Sequence, residues 1–209
     1  MTLSPIAPPH IHNTRFFFPD GTVIFLVGSM LYKVHRYFFQ RDSSIFDAMF
    51  SLPPPEGKRP EGEDENNPIV LVGVEPQDFD RLLAIFYPCD FVEPELRTIE
   101  EWISILNLST RWDFTSLREL SITRISQVLD DPSDLIVLGI QYNVTSWLVS
   151  AYTEICERKE PLTLEEGRKV GVDLCVMIAQ ARHKIRYNSN LNRDHDTIVQ
   201  VIRHIFNLK

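Results

Sequence analysis

Between Thr22 and Phe50 the apolar pattern of the chain changes period once, close to His35. Before the change, "TVIFLVG" and "MLYKV" are rich in β-branched and aromatic residues, and Gly28-Ser29 between them makes a turn. After it, Phe39, Phe46, Met49 and Phe50 fall at helical spacing. The stretch therefore reads as a strand hairpin feeding two short core helices, the first over Arg36 to Gln40 and the second capped by Asp42 or Ser43. His35 sits at the junction, where three roles compete: catalysis, a basic and aromatic nucleic-acid surface, or the nucleus of an interaction domain.

Bulk properties remove one of these. A net charge of −8 and a pI of about 5.2 leave no basic stripe to neutralise phosphates, so no nucleic-acid partner is expected. They also disfavour an anionic membrane surface, and no apolar run approaches the length of a membrane helix. Cys89, Cys156 and Cys175 match no metal or redox spacing and read as small buried thiols. With no secretory pattern at the N-terminus, the expected location is intracellular, in cytoplasm or nucleus.

Around the hairpin the organisation is legible from composition. Residues 1–14 read as a flexible arm. "RFFF" reads as β, and Pro19-Asp20-Gly21 as a turn. Residues 53–67, "PPPEGKRPEGEDENN", hold five acids against two bases and almost nothing apolar. They read as an acidic mobile loop whose deletion from Pro54 to Asn66 leaves folding intact. "PIVLVG" is a strand. "EPQDFDRLLAIFY" is a helix with Phe79, Leu82, Leu83 and Phe86 on one face, stopped by Pro88.

From Thr98 onward the pattern is helical. Capping boxes are expected at Thr98 and Glu101, Ser116 and Glu119, and Thr163 and Glu166. Asp131-Pro132 marks another helix start. The box at Thr163 is expected to open one long helix with Val170, Leu174, Ile178, Ala181 and Ile185 inside, and "DHDTIVQVIRHIF" closes the chain as a final helix. "WDFTSLRELSI" and "YNVTSWLVSAY" echo each other, which points to stacked helical hairpins.

Chemistry is sparse. No nucleophile elbow, phosphate-binding loop or dinucleotide fingerprint occurs, and no histidine has the partner spacing of a zinc site. The acid pairs Glu100-Glu101, Asp130-Asp131 and Glu165-Glu166 stand at helix starts, where carboxylates offset the helix dipole. His35 reads as a partly buried histidine bonded to a nearby backbone group. No catalytic residue, cofactor or metal is expected, and an enzyme is the least favoured class.

"TVIFLVGSMLYKVHRYFFQRDSSIFDAMF" resembles the opening of the BTB/POZ domain, with Tyr32, Val34, His35, Arg36, Phe39 and Ser43 to Phe46 on the pattern. "IVLVGVEPQDFDRLLAIFYPCDF" resembles the next segment of that family. The layout is similar to the small fungal BTB proteins with a helical C-terminal extension. The resemblance implies an α+β fold, a BTB/POZ-like core with a short three-stranded sheet packed on helices, over residues 15–125. An all-helical extension follows over 126–209.

It also implies a protein–protein interaction module, either an adaptor between a cullin and a substrate for ubiquitin transfer, or a self-associating scaffold or transcriptional cofactor. Two departures bear on self-association. The family's N-terminal dimer helix has no counterpart in the residues before the first strand. The acid that faces the arginine corresponding to Arg36 has become Thr22, leaving Arg36 exposed, free for a partner, or paired with Asp20. The expected partner-binding residues are Arg36, Asp20, Phe91 and Glu93, the last two in the turn "PCDFVEPE" between helices at Val74–Tyr87 and Thr98–Leu108.

Overall fold

A computed structural model describes residues 10–54, 57, 59–90, 92 and 95–208. The chain divides into two compact units, one up to Ser121 and one from Ile122.

The first unit holds four strands, β1 (Ile11–Phe17), β2 (Val23–Val27), β3 (Met30–Val34) and β4 (Ile69–Val70). With them are α1 (Arg36–Asp42), α2 (Ser44–Ser51), α3 (Pro76–Phe86), α4 (Ile99–Arg111) and the start of α5 (Thr115–Ser126). The sheet order is β1-β3-β2-β4. β2 and β3 form the antiparallel hairpin expected from the sequence, with Phe25 opposite Tyr32.

The sheet is larger than the three strands expected. β1 joins β3 in parallel and β4 adds two residues parallel to β2. β1 also begins inside the segment that composition assigns to a flexible arm. Its register slips between His12 and Phe17, where the Asn13 side-chain Oδ1 accepts the backbone N–H groups of Arg15 and Phe16 at 2.9 and 2.8 Å. His12, expected on the arm, stacks on Phe17 at 3.9 Å and meets Glu65 at 2.8 Å.

One ring from nearly every element meets beneath the sheet. Phe39 of α1 lies 4.9 Å from Phe25, 5.0 Å from Phe46 and 5.5 Å from Phe86. Tyr32 and Phe79 meet edge to face at 4.9 Å, and Trp112 packs on Phe46 at 5.3 Å. Ser43, buried among them, caps α2 by accepting Phe46 N–H at 3.0 Å and donates to the Trp112 carbonyl at 2.5 Å. A buried hydroxyl is tolerated there because donor and acceptor are both used.

The second unit contains the rest of α5, then α6 (Pro132–Gln141), α7 (Thr145–Glu157), α8 (Leu164–Val170), α9 (Val172–Tyr187) and α10 (His195–Ile205). Asp131 caps α6 ahead of Pro132, and the boxes at Thr98 and Thr163 form as expected. The box expected at Ser116 does not start a helix, because α5 already begins at Thr115. The long helix expected after Thr163 is two helices, α8 and α9. Gly171, at φ 88°, lies outside helical space and separates them.

The repeated motif has a common geometry. At Trp112-Asp113-Phe114 the middle residue is left-handed, and the third donates its N–H back to Ser109 O at 2.9 Å. Tyr142-Asn143-Val144 does the same to Gly139 O at 2.9 Å, and Phe206-Asn207-Leu208 to Arg203 O at 2.9 Å. These are Schellman closures that use Asp or Asn where glycine is usual, since short polar side chains tolerate left-handed backbone.

Arg182 organises the second unit from within. Its buried guanidinium donates to the carbonyls of Ile155, Arg158, Lys159 and Glu160 at 2.8 to 3.1 Å, holding the end of α7 and the chain after it.

The acidic loop is bound to the sheet in its later half. Gly62 is buried, its carbonyl accepts Ile24 N–H at 2.8 Å and its N–H donates to Asn67 O at 2.7 Å. It lies at φ 82°, and a Cβ there would meet Ile69 Cδ1 at 2.9 Å and Val23 Cγ2 at 3.0 Å. The loop thus has a backbone role that its composition conceals, and deleting residues 54–66 is expected to lower stability rather than leave it intact. Gly62→Ala is expected to cost about 1–3 kcal/mol through overpacking and positive φ. Denaturant titration checks this; an unchanged midpoint would show that the loop detaches freely from β2.

Candidate docking surfaces

His35 ends β3 and opens α1. Its backbone N–H donates to the Tyr87 hydroxyl at 2.9 Å, its Nδ1 lies 3.0 Å from the same oxygen, and its Nε2 lies 3.3 Å from an Asp20 carboxylate oxygen. One tautomer satisfies both side-chain contacts. The proton on Nε2 donates to Asp20, and the Tyr87 hydroxyl donates to Nδ1. The order acid–histidine–hydroxyl has the connectivity of a nucleophile relay, but burial pushes the Tyr87 phenol above its ordinary value. A phenol that holds its proton more tightly serves as a donor and a strut between β3 and the end of α3. Asp20 is exposed, and its hydrogen bond to His35 holds its carboxyl below the ordinary value.

Arg36 does not pair with Asp20, because His35, one position earlier, takes that carboxylate. The backbone N–H of Arg36 donates to Thr22 Oγ1 at 2.9 Å. Thr22 therefore supplies a first-turn cap for α1, which His35 as N-cap lacks in its own side chain. The Arg36 guanidinium lies 4.5 Å from the Phe50 ring centre. Its Nε is buried with no hydrogen-bond partner among the described residues. Beside it is a cavity of about 310 Å³ lined by Met49, Phe50, Leu52, Pro53 and Pro60, among others. Phe39 and Phe46 are buried, as helical spacing predicts, while Met49 and Phe50 line this cavity.

A second surface is built on the segment that follows the same end of α3. Glu95 receives a two-pronged contact from Arg15 of β1, with both N–O distances 2.7 Å, and accepts Cys89 N–H at 2.8 Å. Arg15 also donates to Tyr87 O at 3.0 Å. The segment after α3 is thus tied at both ends to one guanidinium fork, a geometry that fixes orientation as well as position. Between the ties, Asp90 accepts Val92 N–H at 2.7 Å, and Val92 is 88% exposed. Phe91 and Glu93 flank Val92 and lie outside the described residues. Arg81 of α3 meets Asp78 at 2.8 Å and Ser104 of α4 at 3.3 Å, joining the two helices that border the segment. The sequence offered no signal for Arg15 with Glu95, which stand far apart in the chain.

Little else in the described residues invites chemistry. No group of three or more His, Cys, Asp or Glu side chains forms a metal site among them. Burial pushes the Cys156 thiol up to about 11, away from the reactive thiolate form. No helix among the described residues is long and apolar enough to cross a membrane.

The Arg15 contact holds the Glu95 carboxyl at about 2, against 4.5 for an unperturbed group. A carboxylate with a depressed folded-state value stabilises the fold fully above its unfolded value and loses that contribution as pH falls through the folded one. Glu95→Gln is therefore expected to melt below the parent at neutral pH, with the gap closing as pH falls from about 4.5 towards 2. Paired thermal melts across that range test it, and a gap independent of pH would show that the carboxylate charge contributes nothing.

No curated protein matches this chain. A family model for the BTB/POZ domain matches residues 18–127, which covers β2 to the end of α5 and just over half of the sequence. The match takes in the hairpin, the His35-Arg36 junction, the aromatic core and the Glu95-tied segment, and on this ground the chain belongs to the BTB/POZ domain family.

Proposed function

We propose that this chain is a non-enzymatic adaptor that docks a second protein on α3, the segment over 88–95 and α4, and that the docked protein is a cullin scaffold of a ubiquitin ligase. The BTB/POZ domain is a protein–protein interaction module, and the finer reading draws on one observation. Val92, 88% exposed, stands at the tip of a segment whose base is clamped by Arg15 and Glu95. An exposed apolar side chain on a fixed base offers contact area without a large ordering cost. Phe91 and Glu93, its neighbours, are the proposed anchor and orienting charge. Arg36 over Phe50 and the exposed Asp20 are proposed as further contacts with a partner.

A second reading, a self-associating scaffold or transcriptional cofactor with no ubiquitin link, draws on the two edge strands. Ile11 of β1 and Val70 of β4 leave apolar side chains exposed at the margins of the sheet. Unpaired strand edges are templates for pairing with another chain.

Binding to a purified cullin at tens of micromolar is the direct test, and Val92→Asp is expected to weaken it about tenfold or more. No binding at that concentration removes the cullin version. Binding that Val92→Asp does not change moves the interface elsewhere on the unit.

A further inference from the structure

α9 carries two apolar faces. Ile178, Ala181 and Ile185 are buried, and α9 packs on α7 and α10. On the opposite side Val172, Val176, Ala179, His183 and Tyr187 are all exposed, Val172 by 77% and Tyr187 by 74%. At 100° per residue these five fall within about 80° of arc, a seam about 22 Å long. Their first four positions repeat at four-three-four spacing, the spacing of a helix that packs against another helix. Ala179, the smallest of them, is at the middle, where two helix backbones come closest.

We propose that this face of α9 pairs with the same face of a second copy of the chain, antiparallel, about a two-fold axis near Ala179. The charges beside the seam select that occupant and that direction. Asp173, Gln180 and Lys184 lie along one flank, with the acid before the midpoint and the base after it. An antiparallel copy sets Asp173 against Lys184 of its mate twice over, about an axis between Ile178 and Ala179. A parallel copy would bring opposite flanks together and set Lys184 beside Arg186 of its mate, base against base. Antiparallel pairing also brings the positive end of one helix beside the negative end of the other. The interface is isologous and closed, so it yields a dimer and not a fibre. The seam lies outside residues 18–127, so it does not rest on the docking face proposed above.

Sedimentation equilibrium of the full chain across the micromolar range tests this. The weight-average mass is expected to rise from 24.3 kDa towards twice that value. Val176→Glu, at a side chain 51% exposed, is expected to hold the mass at the monomer value with an unchanged circular dichroism spectrum. Asp173→Lys is expected to weaken the dimer, and adding Lys184→Asp to restore it. A monomer at every concentration overturns the proposal, as does a dimer that survives Val176→Glu or is indifferent to Asp173→Lys. A dimer lost instead on Ile11→Lys places self-association at the sheet edge and also overturns it. None of these outcomes bears on cullin binding, which is read separately.

Discussion

The packing of rings around Phe39 is the interaction on which the first unit depends. β2, β3, α1, α2, α3 and the end of α4 each contribute an aromatic side chain to one cluster. Aromatic pairs prefer edge-to-face and offset geometries, so the cluster specifies angles between elements as well as distances. No one of these short elements could bury its apolar face alone. The cluster makes their formation a joint event, and Ser43 ties the same place together by linking the start of α2 to the carbonyl at the end of α4.

Most of this core was legible in the sequence, because period is a local property. Phe39, Phe46, Phe79, Leu82 and Leu83 stood at the spacings that burial demands. The caps at Thr98, Asp131 and Thr163 were legible for the same reason, since a cap needs only the next three residues. What escaped was contact between distant segments. Nothing near Arg15 announces Glu95, and nothing in an acidic, proline-rich loop announces that Gly62 lies against β2. The parallel pairing of β1 was hidden similarly, because a strand's partner is not written in its own pattern. The break at Gly171 is a different case. The glycine was visible inside an apolar repeat, and the repeat outweighed it.

The site residues divide along the same line. The sequence directed attention to Arg36 because its usual acid is absent, and the structure gives the cause of its altered surroundings: Thr22 takes the Arg36 amide, His35 takes Asp20, and Phe50 covers the guanidinium. The exposed face of α9 was missed because only one row of apolar positions, Val170, Leu174, Ile178, Ala181 and Ile185, was read along it, and Val172, Val176 and Ala179 fall between them. A helix with two apolar faces shows a weak amphipathic signal, and only the observed packing tells which face is covered.

Arg182 has a consequence for how the second unit responds to ions. Its guanidinium is buried among four carbonyl oxygens, and burial pushes its proton affinity below the ordinary arginine value. Dipoles, not a carboxylate, satisfy it, so neither acid nor added salt removes its counterpart. Asp173 and Lys184, in contrast, face open water, where charges more than about 10 Å apart are screened at ordinary ionic strength. Salt therefore acts on the surface of α9 while leaving untouched the contact that holds α9 to the end of α7. The helical unit keeps its internal architecture across conditions that retune what its outer face attracts.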